Sequence, residues 1–432
     1  MSARPCHWWL KVAASLMLAV TLPPSLPAAA ATVPVPAEDG CLQAAVAAAA
    51  PGDVLDLAPG FHKGALVVDK ALTLKGEPGA VLEGEGRGSV ILVRAPNVVI
   101  EGLTIRNSGI DLAARDAGVI VTAAGARSRI ERNRFEHNLF GVYLVGPKDA
   151  TVLGNTIIGR DDLRVAERGD GVSIWNSPGA KILDNEFSLG RDGIFVTTSH
   201  DDFFHGNRFR GVRIAVHYMY TNNSEVSGNS SIGNDAGYAL MYSHGLVVRD
   251  NLSEDDRDQG ILLNYANDSR TEGNAVYRGA TQCVFIYNSS NNALRGNRFE
   301  GCPIGIHFTA GSERNIVAGN AFIANQTQVK YVGTRWIEWS ENGRGNYWSD
   351  NPAFDLDGDG IADTAYRPND LVDEVVWLHP AAKLLLTSPA LQLLRLAETR
   401  FPGLHPGGVV DSAPLMQPPP APRAPLAAGG QP

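Results

Sequence analysis

An asparagine returns through the middle of this 432-residue chain at nearly constant spacing, and that period limits the fold more than any other feature. It stands at Asn133, Asn155, Asn185, Asn207, Asn229, Asn251, Asn274, Asn297 and Asn320, separated by 22, 30, 22, 22, 22, 23, 23 and 23 residues. The one long interval carries an insertion around residues 159–168. Eight or nine residues after most of these asparagines, a small residue opens a short run rich in β-branched and aromatic side chains: GVYLV, GIFVT, GYALM, GILLN, CVFIY, GIHFT. A period near 22 is too short for helical-hairpin repeats, and the spaced leucines of a leucine-rich repeat are missing. Short strands parted by Asn, Gly and Ser turns stack as rungs of a parallel β-helix, right-handed by the crossover rule. The repeated Asn is expected in a left-handed or tight-turn position, bonding the rungs above and below in a ladder; its role is structural.

Less regular runs extend the pattern toward the N-terminus, so the β-helix is expected over residues 32–342. An open end would be an unpaired edge, and the Ala-rich residues 40–50 read as its capping helix, with Cys41 packed there as a small hydrophobe. Before it, Arg4, Lys11, an apolar stretch over residues 12–22 and four alanines at 28–31 read as an export signal over residues 1–31, too short to span a membrane. Its removal would discard Cys6 and leave Cys41, Cys283 and Cys302. An odd count leaves at least one thiol unpaired within the monomer; a Cys283–Cys302 bridge is open but not placed by sequence. With 37 basic against 46 acidic residues the net charge is −9, which disfavours nonspecific nucleic-acid binding.

After the last repeat, residues 343–380 read as a cap segment. Residues 381–410 hold a helix from Pro389 to Arg400 with Leu391, Leu393, Leu394, Leu396 and Ala397 on a wide apolar face. Residues 411–432, dense in Pro, read as a disordered tail.

Side chains alternate along a strand, so each run can be read in columns. One and three residues past the opener the columns are apolar and face inward, from Val142 and Leu144 to Ile306 and Phe308. The outward columns hold His217, Met219, Met241, Tyr287 and His307. His217 and Met219 share one face, and Met241 falls in the column of Met219 one rung later, about 4.8 Å away. Imidazole with two thioethers is a soft set suited to Cu(I), and His244 could reach in from the next turn as a fourth ligand. Covered contact residues would give the same pattern. His307, about 19 Å from His217, cannot share its ion. Asp170 and Asp192 precede the opener on successive rungs and could stack as an acid pair of the kind glycosidases use, but no basic partner lines up with them in the sequence. Asp355, Asp357, Asp359 and Asp363 occupy positions one, three, five and nine of a calcium-loop pattern with Gly360 at six; Tyr366 stands where Glu would complete it, so the loop would be structural, or completed by Asp373 or Glu374.

The leader, the asparagine repeat, and the closing GNYWSD followed by DLDGDGIADTAY together resemble the NosD family of periplasmic copper-associated accessory proteins. The resemblance implies a non-enzymatic maturation factor for nitrous-oxide reductase, with copper as cargo. It would work beside an ABC-type permease and its ATPase and a copper-chaperone lipoprotein, and would touch the membrane only through the permease. The family pattern supplies no residue-level copper motif, so the ligand set rests on the columns. The Leu-rich helix would dock on the permease or serve as a second cap; Pro380, Pro389 and Pro402 set it apart as an arm and favour the permease. Two other classes stay open: a carbohydrate-active β-helix lyase, epimerase or hydrolase, which would need an aligned acid or base set in a groove, and a structural surface-binding module.

Overall fold

A computed structural model describes residues 30–309, 311–333, 335–385, 388–400 and 407–422. The leader read over residues 1–31 lies almost wholly outside them. The chain winds as a parallel β-helix with three faces. Each turn contributes a strand to a first sheet of 13 strands (Thr32–Val35 to Ile316–Ala318), then to a second of 13 (Gly60–Lys63 to Tyr347–Trp348), then to a third of 12 (Leu66–Val68 to Thr327–Val332). The inward columns are as the alternation requires: Val142, Ile194, Val216 and Ile261, with Leu144, Val196, Tyr218 and Leu240, are all fully buried.

The asparagines stand at the corner between the first and second sheets, where the chain turns too sharply for its N–H groups to stay in a ladder. Asn207 shows the pattern: its backbone N–H and its Nδ2 donate to Asn229 Oδ1 at 2.9 and 3.0 Å, and Nδ2 also donates to Ile182 O at 2.8 Å. The left-handed residue is the one before each asparagine, Arg132, Asp184 and Asp250 among them, or Gly as at Gly206 and Gly228, and not the asparagine itself. This corrects the expectation: the αL residue makes the bend, and the asparagine, past it, turns its amide inward.

At the N-terminal end α1 (Cys41–Ala48) covers the first rung, burying Leu42, Ala45 and Val46. Lys70 Nζ donates to the carbonyls of Val46, Ala47 and Ala49, satisfying the helix C-terminus. Cys283 and Cys302 form a disulfide, and among the described residues no cysteine is free. Cys41 is buried at the start of α1, as its packing role requires.

The C-terminal end departs further from the sequence reading. The second sheet continues past residue 342 to Tyr347–Trp348, where Trp348 and Trp339 stack with Phe322 as the end of the core. Helix α2 (Leu371–Leu378) was not foreseen; Asp370 and Asp373 form its capping box. Helix α3 (Pro389–Arg400) has the expected bounds and packs beside α2. Its apolar face is split: Leu391 and Leu394 are half-buried, Leu393 and Leu396 exposed. The segment read as a disordered tail is ordered as far as it is described. Gly408–Val410 pairs with Trp336–Glu338, and Leu415 bridges to Tyr347 and Ile361. Asp411 then ends the asparagine ladder: its Oδ2 accepts from Asn346 N and Trp348 Nε1, both at 2.7 Å. Composition suggested disorder because the prolines dominate the count, whereas apolar Val409, Ala413 and Leu415 and one carboxylate have a place to go.

Candidate metal site on the third sheet

The outer face of the third sheet carries the candidate site. Strand Ile214–Asn222 lies between Asp192–His200 and Ala236–Met241 in a register that pairs Phe195 with His217, His217 with Ala239, Thr197 with Met219, and Met219 with Met241. His217, Met219, Ala239 and Met241 therefore occupy the corners of one outward square. Alanine is the smallest of the four and is buried. His217 and both methionines are half-buried. His244 is not brought into the square by any contact: it sits on the exposed turn that follows, its backbone N–H donating to Asn222 Oδ1 at 3.0 Å.

His217 is held from the side. Its Nδ1 lies 3.0 Å from Asp192 Oδ2, and its ring is tilted against Phe195 with centroids 5.0 Å apart. Asp192 also accepts two bonds from Arg213, at 2.8 and 2.6 Å. Burial opposes the charge on Asp192, but the bonds from His217 and Arg213 outweigh it and hold the carboxyl below its usual range. One rung earlier Arg191 grips Asp170 through two bonds of 3.1 and 3.2 Å. Burial, followed by the charge of Asp192, pushes Asp170 up to about 6 against the pull of Arg191. Each arginine reaches back one rung to the acid that the sequence left without a basic partner.

Two further features escaped the sequence reading. Tyr220, Tyr242 and Tyr265 follow the outward column on consecutive rungs, exposed and stacked at 5.2 Å, with Tyr287 turned edge-on beyond them. Their spacing of 22 and 23 residues was legible. The other is the setting of His307, a residue already read in the outward column: its Nδ1 is 3.2 Å from Gln282 Oε1 and its ring stacks on Phe285 at 4.6 Å. Burial and then Lys330 push it down to about 4, so it is neutral near pH 7.

Asp355, Asp357 and Asp359 bring carboxylate oxygens within 4.8 Å of one another on an exposed loop. Asp363 does not join them; it accepts from Leu356 N at 2.8 Å. Asp373, offered with Glu374 as a completing ligand, caps α2, its Oδ2 accepting from Asp370 N at 3.1 Å.

The family model described as "Periplasmic copper-binding protein (NosD)" matches residues 153–353. A relative from Stutzerimonas stutzeri, named probable ABC transporter binding protein NosD, is 42% identical over 375 residues, covering 84% of this chain and 86% of its own. One of the same name from Pseudomonas aeruginosa is 42% identical over 378 residues, covering 84% and 88%. Among solved structures, the A-module of the mannuronan C-5 epimerase AlgE4 from Azotobacter vinelandii aligns with a TM-score of 0.56 at 14% identity, over 70% of this chain and 94% of its own. At that identity the likeness shows the β-helix fold alone. Among the described residues, no helix is long and apolar enough to cross a membrane.

Proposed function

Because this chain belongs to the NosD family, we propose that it is a periplasmic, non-enzymatic accessory component of an ABC-type transporter that supports copper delivery to nitrous-oxide reductase and its maturation. The observation that carries the copper reading is the in-register pair Met219 and Met241 beside His217, a soft donor set on one outward face. Its partners are the permease and ATPase, a copper-chaperone lipoprotein and the reductase, with His244 as a fourth donor once its turn moves. The buried acids speak against the carbohydrate-enzyme reading: Asp170 and Asp192 each accept two guanidinium bonds, so neither is presented to a substrate as acid or base. The loop of Asp355, Asp357 and Asp359, with Gly358 and Gly360 supplying left-handed bends, is a structural calcium loop in this reading, with Asp363 bracing it.

Permease contact falls to the arm formed by α2 and α3, which exposes Leu384, Leu385 and Leu393. At the base of the arm Tyr366 and Asp411 exchange backbone bonds of 2.8 and 2.9 Å, Asn369 Nδ2 donates to Val329 O at 2.7 Å, and Gly408–Val410 pairs with Trp336–Glu338. Truncating the chain before the arm would also remove Asp411 and open the β-helix, so the arm has to be excised internally, residues 371–406 giving way to a short Gly-Ser linker.

Two variants test the reading. Replacing both Met219 and Met241 by Ile keeps the apolar bulk, removes the thioethers, and should lower Cu(I) affinity by an order of magnitude or more with little change in melting temperature. The excised chain should stay folded and no longer co-purify with the permease. Unchanged copper affinity in the first, or persistent co-purification in the second, refutes the corresponding half of the reading.

A further inference from the structure

The two outward histidines of the third sheet are built alike but stand in differently charged surroundings. Each stacks or tilts against a phenylalanine one rung earlier in its own column, Phe195 for His217 and Phe285 for His307. Each turns Nδ1 to the residue that precedes the opener of that earlier rung, Asp192 or Gln282. Around His307 the acceptor is a neutral amide and the next residue down the column is Lys330. Around His217 the acceptor is a buried carboxylate backed by Arg213, the next residue down is Ala239, and the methionines flank it.

The fold does not require that carboxylate. The column of Asp192 continues through Ile214 and Ala236, so an apolar side chain closes the same corner on the following rungs. Burying a charged group is costly unless it is paired and hydrogen-bonded, and here Arg213 and His217 are the partners. Its geometric effect is specific: an ionised carboxylate can only accept, so Nδ1 of His217 carries the hydrogen and the lone pair is left on Nε2, across the ring. Metal-bound histidines are oriented in this way by a carboxylate on their second nitrogen.

We infer that Asp192, held by Arg213, is a positioning residue that fixes His217 as an Nε2 donor for a soft monovalent cation shared with Met219 and Met241, and that the sister station at His307 is a hydrogen-bonding site that takes no cation. The inference rests on the copper reading above and adds which nitrogen binds and which residue sets it.

The test uses the full mature chain, Cu(I) in competition with a chromogenic chelator, and 15N NMR of the imidazoles without metal. Wild-type His217 should be the Nδ1–H tautomer. Asp192→Ala, which copies Ala236, should mix the tautomers and weaken Cu(I) binding about 10–100-fold. Asp192→Asn should fall between, because it keeps an acceptor and loses the charge. His307→Gln should leave affinity unchanged. Arg213→Gln, at a partly exposed side chain, keeps the carboxylate and loosens it, and should show a smaller loss whether or not the Asp192 variants fold. An Nε2–H tautomer in the wild type, or wild-type affinity in a folded Asp192→Ala or in Arg213→Gln, overturns the inference while leaving the copper reading intact. Absence of Cu(I) binding by the wild type instead removes the copper reading and the inference with it.

Discussion

Two corners of the β-helix carry one residue per rung and follow opposite rules. At the corner between the first and second sheets the same buried asparagine recurs from Asn133 to Asn346, and Asp411 closes the series. At the corner between the third and first sheets the left-handed position holds Gly146, Asn176, Thr198, Tyr220, Tyr242, Tyr265 and Asn288 in turn. The first corner repeats because each rung poses the same problem, a backbone N–H with no sheet partner, and one side chain solves it. The second poses a steric problem that Gly or Asn solves best, yet three rungs hold bulky tyrosines that pay a conformational penalty there. Where a repeat is kept it reports the fold; where an exposed column abandons its best residue, beside Met219 and Met241, it points to use.

The largest effect should come from breaking the first corner. Asn229 Oδ1 accepts from Asn207 N and Nδ2, and its own Nδ2 donates to Phe204 O. Its Nδ2 also donates to Asn251 Oδ1, so Asn229→Ala removes four bonds and strands buried donors and an acceptor, each at about 1–3 kcal/mol. A loss of roughly 3–6 kcal/mol in denaturant unfolding is expected. A loss under about 1 kcal/mol would mean that water replaces the amide and that the ladder is not what holds the corner.

A smaller effect sharpens the comparison at a position where an acid stands in for an amide. Asp202 accepts from Ala180 N at 3.0 Å at the third-to-first corner, where Asn292 and Asn315 play the same part for later rungs. Burial pushes its carboxyl up to about 7. The folded state therefore favours the protonated acid; this stabilisation is full below the unfolded value near 4 and is lost as pH rises from about 4 through 7. Asp202→Asn should abolish that slope, matching the wild type near pH 4 and exceeding it by up to about 4 kcal/mol at pH 8. Parallel unfolding curves at both pH values check it; a variant no more stable than wild type at pH 8 would show that the buried charge is already compensated.

The same contrast explains what could be read in the sequence. Strand alternation and the period were enough for the inward columns and for the register of Met219 with Met241, because both follow from local geometry repeated rung by rung. The αL residue was placed one position late because Asn and its preceding residue are equally common at bends. Arg191 and Arg213 were missed because each pairs with an acid 21 residues back and in a neighbouring column, a sideways reach that columns read one at a time do not show. Asp411 was missed for a related reason: it meets Asn346 across 65 residues, after an excursion of two helices, and no period links them.

The smallest expected effect belongs to the second corner. Tyr242 sits at φ 50° and stacks on Tyr220 and Tyr265 at 5.2 Å on either side. Tyr242→Asn restores the side chain used at Asn176 and Asn288, and relieves about 1 kcal/mol or more of left-handed strain. It also removes two ring contacts worth about 0.5–1.5 kcal/mol each when buried, and less on an exposed ridge. The two terms nearly cancel, so stability should move by less than about 1 kcal/mol in either direction, read as a shift of at most a few degrees in melting temperature. That near-zero result is the informative one: a column that costs the fold nothing to lose, and that departs from its own best residue on three successive rungs, is not maintained by stability. A loss above about 2 kcal/mol would place the tyrosines with the asparagines as scaffold, and the contrast between the two corners would reduce to one between a buried ladder and an exposed one.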